Sequence, residues 1–182
     1  MAFSFSPRAS LLATAMLVAT SASAHITLEQ REAEAGSYYK AVLRVGHGCE
    51  GAPVRAITVR LPAGFRGAKP MPKPGWTLTI RRQPLATPYD SHGRTVKDDV
   101  TEIRWEAGSQ SAWLPDAHYD EFVLRGQLPA AAGPLWFKVL QTCAKGQIDW
   151  AELPASGTST QGLKAPAALL QVTPAAPGHA HH

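Results

Sequence analysis

Seven histidines are many for a chain of 182 residues, and among these metal-binding side chains His25 has the most unusual position. It stands directly behind residues 1–24, which carry Arg8, an apolar stretch from Leu11 to Ala19 and the small-residue ending Ser21-Ala22-Ser23-Ala24. That pattern reads as an export signal cleaved between Ala24 and His25, and its apolar stretch is too short for a permanent membrane span. Cleavage would turn His25 into an N-terminal residue whose α-amine and imidazole Nδ1 can close a chelate ring on one ion. Both nitrogens lose their protons near neutrality, from reference pKa values of about 8 and about 6.5. Two nitrogens completed by carboxylate or water suit tetragonal Cu(II), which also heads the divalent affinity series. The competing reading is that His25 is simply the first residue after a cleavage site.

The other candidate ligands divide by context. Cys49 and Cys143 form an even pair in an exported chain, where a disulfide is the expected state. Neither has a second cysteine at metal-binding spacing. A bridge between residues so distant in sequence stabilises by about 4 kcal/mol in the chain-entropy description. His47, within Gly46-His47-Gly48-Cys49, reads as a turn residue beside that bridge, and His92 in Ser91-His92-Gly93 as a solvated turn. His118 lies two residues before Asp120 and is either a second ligand or an exposed loop residue. His179, His181 and His182 form a short terminal tract suited to weak metal binding. The sequence contains no Gly-x-Ser-x-Gly, no His-Glu-x-x-His and no phosphate-cradling glycine loop.

The elements that must position these groups are strands. Apolar and polar residues alternate over 25–29, 38–45, 56–61, 76–81, 100–105, 120–127, 135–142 and 148–152, with glycine and proline between them. No stretch sustains a helical period, so the chain reads as all-β, a sandwich or barrel. Residues 25–153 form the expected domain. Residues 154–182 form a Pro/Ala/Ser-rich tail with one more strand near 169–172, and 93–99 reads as a polar loop. With 182 residues, 45% hydrophobic and 18% charged, the chain suits one domain with a core. The net charge of +4 is mild and no Lys/Arg run exceeds two residues, which argues against nucleic acid as a partner.

One family resemblance spans nearly the whole of 25–153. The residues that carry it are His25-Ile26-Thr27-Leu28, Val45-Gly46-His47-Gly48-Cys49-Glu50-Gly51, Lys73-Pro74-Gly75-Trp76 and Glu102-Ile103-Arg104-Trp105. They continue through Leu114-Pro115-Asp116-Ala117-His118-Tyr119-Asp120-Glu121-Phe122, Gln141-Thr142-Cys143 and Asp149-Trp150. In these the chain resembles the YcnI-like copper-binding family of exported bacterial domains. The resemblance implies an immunoglobulin or cupredoxin-like β-sandwich that holds Cu(II) at a single-histidine brace. Carried over residue by residue, His25 supplies amine and Nδ1, Glu121 the carboxylate, and Trp150 lies close to the metal.

Strand periodicity adds its own constraint. Asp120 and Phe122 share one face of a regular strand, while Glu121 and Val123 share the other. Only one of the two carboxylates therefore faces a given site. Asp120, Asp149 and Glu29 remain alternative oxygen ligands, and Glu121 read blandly is a solvated carboxylate or a partner of Arg104 or Arg125.

Together these readings predict an exported copper-binding protein of the periplasm or cell surface, acting in copper homeostasis or trafficking. It is not expected to be an enzyme, and the mature chain has no transmembrane anchor. The resemblance implies copper chaperones of the PCu(A)C type and membrane copper transporters as partners. Two other classes compete: a copper-dependent oxidase or oxygenase using the same brace, and a metal-free extracytoplasmic interaction module.

Overall fold

In a computed structural model the protein is described over residues 25–176. The predicted export signal at 1–24, with its Ala24 junction, and the terminal His179, His181 and His182 lie outside the described residues. In chain order the strands are β1 (Thr27–Leu28), β2 (Glu32–Glu34), β3 (Tyr38–Val45), β4 (Val54–Arg60), β5 (Arg66–Pro70) and β6 (Trp76–Ser91). There follow β7 (Arg94–Ala107), β8 (Asp120–Gln127), β9 (Gly133–Cys143), β10 (Gln147–Trp150) and β11 (Ala168–Thr173). The only helical element among the described residues is one 3-10 turn, Gln110–Ala112.

Two sheets pack as a β-sandwich. The smaller has the order β1-β3-β8-β5, and the larger β2-β11-β9-β4-β7-β6 with β10 added on β9. Alternation decides which side chains meet between them. Leu28, Leu43 and Phe122 align across β1, β3 and β8, and all three are buried. From the larger sheet Ile57 and Val59 of β4 lie opposite Trp105 and Ile103 of β7, also buried. Trp105 meets Phe122 edge-on with ring centroids 5.7 Å apart, joining the sheets. Its indole N–H donates to the Met71 carbonyl at 3.0 Å, so the buried ring leaves no polar atom unpaired. Trp76 also packs on Phe122, whereas Trp136 lies on the opposite face of β9 from the buried Leu135 and Phe137.

Several boundaries differ from the sequence reading. Residues 93–99 are not a loop: β6 and β7 form one long hairpin that turns at His92-Gly93, both at positive φ. The outer part of this hairpin is solvated on both faces, so its residues lack the alternation that marks a half-buried strand. Pro84 lies within β6 because β6 is the sheet's last strand, and bulges absorb the irregularity. Beyond Leu153 the chain returns to the fold, since β11 pairs antiparallel with β9 and parallel with β2.

Cys49 and Cys143 are joined in a disulfide, with a sequence separation of 94 and Cα atoms 5.9 Å apart. It ties the β3–β4 connection to the end of β9, fastening one end of the sandwich. Replacing both cysteines with serine is expected to lower the unfolding free energy by about 4 kcal/mol, read from the urea midpoint. A loss below about 1 kcal/mol would show that hydrogen bonds alone hold this connection.

Candidate metal centre

The strand β9 has an unexpected residue in its inward phase. Leu135, Phe137, Val139 and Cys143 face the core, and so does Gln141, which is 0% exposed. A buried carboxamide without partners costs about 1–3 kcal/mol, so its bonds matter. Pairing of β10 with β9 sets Trp150 opposite Val139 and Ile148 opposite Gln141, which places Trp150 one diagonal step from Gln141 on the same face. The Trp150 indole N–H donates to Gln141 Oε1 at 2.8 Å. Gln141 Nε2 in turn donates to the His47 carbonyl at 2.7 Å. A single side chain thus satisfies the tryptophan and anchors the β3–β4 connection.

Two imidazoles meet this tryptophan. The His25 ring lies edge-on to Trp150 at 5.6 Å between centroids, and the His47 ring at 6.2 Å. His25 precedes β1, the edge strand of the smaller sheet, and Trp150 ends β10 of the larger one, so the cluster sits at the rim between sheets. The connection that brings His47 here is tightly built. Cys49 and Ala52 exchange two backbone hydrogen bonds, 3.0 and 2.9 Å. A Cβ on Gly48 would stand 1.9 Å from the Ala52 oxygen, so only glycine fits that position. Asp116 Oδ1 accepts from the Gly48 N–H at 2.8 Å.

Glu50 occupies the next turn position at φ 50°, the left-handed region that a glutamate adopts only at an energetic cost. Its carboxylate is exposed and has no hydrogen-bonding or ionic partner among the described residues. Glu50 and Gly51, both at positive φ, form the two-residue turn that the Cys49–Ala52 hydrogen bonds close.

The oxygen donors expected from the sequence lie elsewhere. Glu121 is opposite Arg44, which is opposite Thr27, so it is two strands from β1 and on the outward face. There it accepts a hydrogen bond from the Tyr119 hydroxyl, while Arg104 pairs with Glu106. Burial and the Glu121 carboxylate together raise the Tyr119 pKa, so that hydroxyl remains a donor. Asp120 pairs with Lys73 at 2.6 Å, Glu29 with Arg44 at 3.3 Å, and Asp149 with Arg60. Asp149 also faces away from Trp150, its neighbour in the strand. His118 is exposed, in a turn where its N–H donates to Pro115.

Of the predicted site residues, then, the structure brings Trp150 to His25. Sequence reasoning missed Gln141 and His47 as members of this cluster. A glutamine in phase with Leu135, Phe137 and Val139 was a usable signal, because a polar residue on a core face needs a specific partner. Nothing in the sequence placed His47 against Trp150, since one lies in the β3–β4 connection and the other at the end of β10.

Cu(II) requires converging nitrogen and oxygen donors. Among the described residues no three His, Cys, Asp or Glu side chains converge, so side chains alone do not complete a site here. An N-terminal amine at His25 would give, with its Nδ1, a two-nitrogen chelate, and the oxygen positions would then fall to water or to a carboxylate brought to it. His25 also lines a cleft of about 540 Å³, shared with Arg31, Glu32, Thr158 and Gln171, so the position is open to solvent.

Comparison with known proteins agrees with this architecture. A crystal structure of an uncharacterized protein from Nocardia farcinica, with an immunoglobulin-like fold, superposes with a TM-score of 0.63 at 25% identity, covering 81% of this chain and 97% of that one. A type I cohesin from Pseudobacteroides cellulosolvens aligns at a TM-score of 0.40 and 12% identity, covering 87% of this chain and 97% of that one. No curated protein matches the chain. The fold is an immunoglobulin-like β-sandwich. A family model described as a domain of unknown function, DUF1775, matches residues 25–172. By that match the chain belongs to the DUF1775 family, the domain of the YcnI-like proteins.

Proposed function

We propose that this protein is exported, loses residues 1–24, and then binds one Cu(II) as cargo through the amine and Nδ1 of His25 with a carboxylate as third donor. The observation that carries the reading is His25, the first residue of the family domain, set 5.6 Å from a buried Trp150 at the rim between sheets. The disulfide suits an oxidising compartment such as the periplasm or cell surface. Among the described residues no helix is long and apolar enough to cross a membrane.

The residues have separable tasks. His25 supplies both nitrogens, and its amine, hence the chelate, becomes available only after cleavage. Trp150, fixed by Gln141, walls one side of the imidazole and limits the ring's orientation. Glu50 is the oxygen donor we favour over Glu121, Asp120, Asp149 and Glu29, because each of those would have to abandon an existing partner. A bidentate residue at an exposed rim releases its ion one bond at a time, which suits transfer to an acceptor such as a copper chaperone or membrane copper transporter. Homeostasis or trafficking therefore accounts for the arrangement better than catalysis.

A chain beginning at His25 is expected to bind Cu(II) at least about 100-fold more tightly than one carrying a single extra residue before it, about 3 kcal/mol. Equal affinities and identical Cu(II) EPR spectra would refute the amine ligand. In the same background Glu50→Gln should weaken binding about tenfold and alter the spectrum, with Glu121→Gln within about twofold of the parent. The opposite pattern would return the oxygen ligand to β8.

A further inference from the structure

The end of β3 remote from His47 carries a second cleft, of about 460 Å³, in the outward face of the smaller sheet. Arg66, Lys69 and Arg125 line it and no aspartate or glutamate does. Register makes the concentration of charge explicit. Arg125 of β8 lies directly between Lys40 of β3 and Lys69 of β5, so three cations stand side by side across adjacent strands. Like charges directly opposite destabilise a sheet. Six cations elsewhere, Arg44, Arg60, Lys73, Arg81, Arg82 and Arg104, each hold a carboxylate, and others such as Arg94, Lys97 and Lys164 hold none among the described residues. What sets the cleft apart is the direct cross-strand alignment of its cations. Lys40, Arg66, Lys69 and Arg125 hold none and donate no side-chain hydrogen bond among the described residues.

Both guanidinium groups are nonetheless held in place. Arg66 lies over the Tyr89 ring at 4.5 Å, and Arg125 over the Tyr38 ring at 4.4 Å. Stacking fixes a guanidinium plane without neutralising its charge, and leaves the N–H edge open for a planar or tetrahedral oxyanion. The carboxylate that bonds Tyr89, Asp99, is buried and already accepts from the Gly67 N–H and the Tyr89 hydroxyl. It thereby fixes the ring on which Arg66 stacks. The cleft volume falls in the range of small-ligand sites.

We infer that this cleft binds a polyanion bearing phosphate groups, with Arg66 and Arg125 as oriented donors and Lys40 and Lys69 as flanking charges. Phosphate suits it because each group offers several oxygens to several forks at once and carries more charge than one carboxylate. Such groups reach an exported protein as soluble phosphate chains or as lipid headgroups. The site lies at the opposite end of β3 from the His25 cluster and stands independently of copper binding.

Titration calorimetry of the protein with tripolyphosphate, and sedimentation with phosphatidylglycerol–phosphatidylcholine vesicles, tests the assignment and separates the two sources. Binding to either probe is expected to fall about tenfold in Arg125→Gln and in Lys69→Gln, and to be unchanged in Lys164→Gln, an exposed cation elsewhere. Thermal melting should show Arg125→Gln as stable as the parent or more so, because the substitution relieves repulsion with Lys40 and Lys69. The proposal is overturned if neither probe binds at physiological salt, if all three variants lose affinity equally, or if poly-glutamate binds more tightly than tripolyphosphate.

Discussion

A tryptophan can be buried at the end of a β-sandwich only if its indole N–H finds an acceptor there. In this protein that acceptor is Gln141, itself buried, and its remaining donor grips the His47 carbonyl. The pair of bonds links β10, β9 and the β3–β4 connection. The disulfide fastens that same connection one turn further on. Loss of either restraint leaves the other to position both the tryptophan and the loop. Gly48, whose Cα closely approaches the Ala52 carbonyl, allows the tight turn that brings Cys49 to Cys143.

Rigid support beneath an open rim is the arrangement that transient metal binding needs. The protein side of the candidate centre is held by core packing and covalent cross-linking, so little conformational entropy is lost when a ligand arrives. His25, the donor proposed for this centre, lines an open cleft, where ligand exchange would be unobstructed. The strained φ of Glu50 is tolerated because the Cys49–Ala52 hydrogen bonds and the adjacent disulfide over-determine that turn.

Charge is distributed with comparable order. Around β8 the carboxylates Glu29, Asp120 and Glu121 are engaged with Arg44, Lys73 and Tyr119, at the end of the sheet nearer His25. At the other end of the same sheet the cations are unpaired and two are stacked on tyrosines. One sheet therefore presents a neutralised end and a positive end. Neither feature is visible in the overall charge, because the asymmetry depends on strand register.

How much of this was legible in the sequence follows from the range of each interaction. Alternation within a strand is local, so the all-β class, most core strands and the inward phase of β3, β8 and β9 were readable directly. Cys49 and Cys143 were the only two cysteines and had one possible pairing. The long β6–β7 hairpin was obscured because strands solvated on both faces carry no alternation. Family resemblance pointed to Trp150 beside His25, but Glu121 was assigned by its neighbourhood in sequence, and tertiary register set it on the outward face two strands from β1. The local sequence thus determined which residues face inward and which elements exist. Only the folding of two sheets onto each other decided that His25, His47 and Trp150 meet, because contacts across a sandwich join residues whose separation along the chain carries no periodic signal.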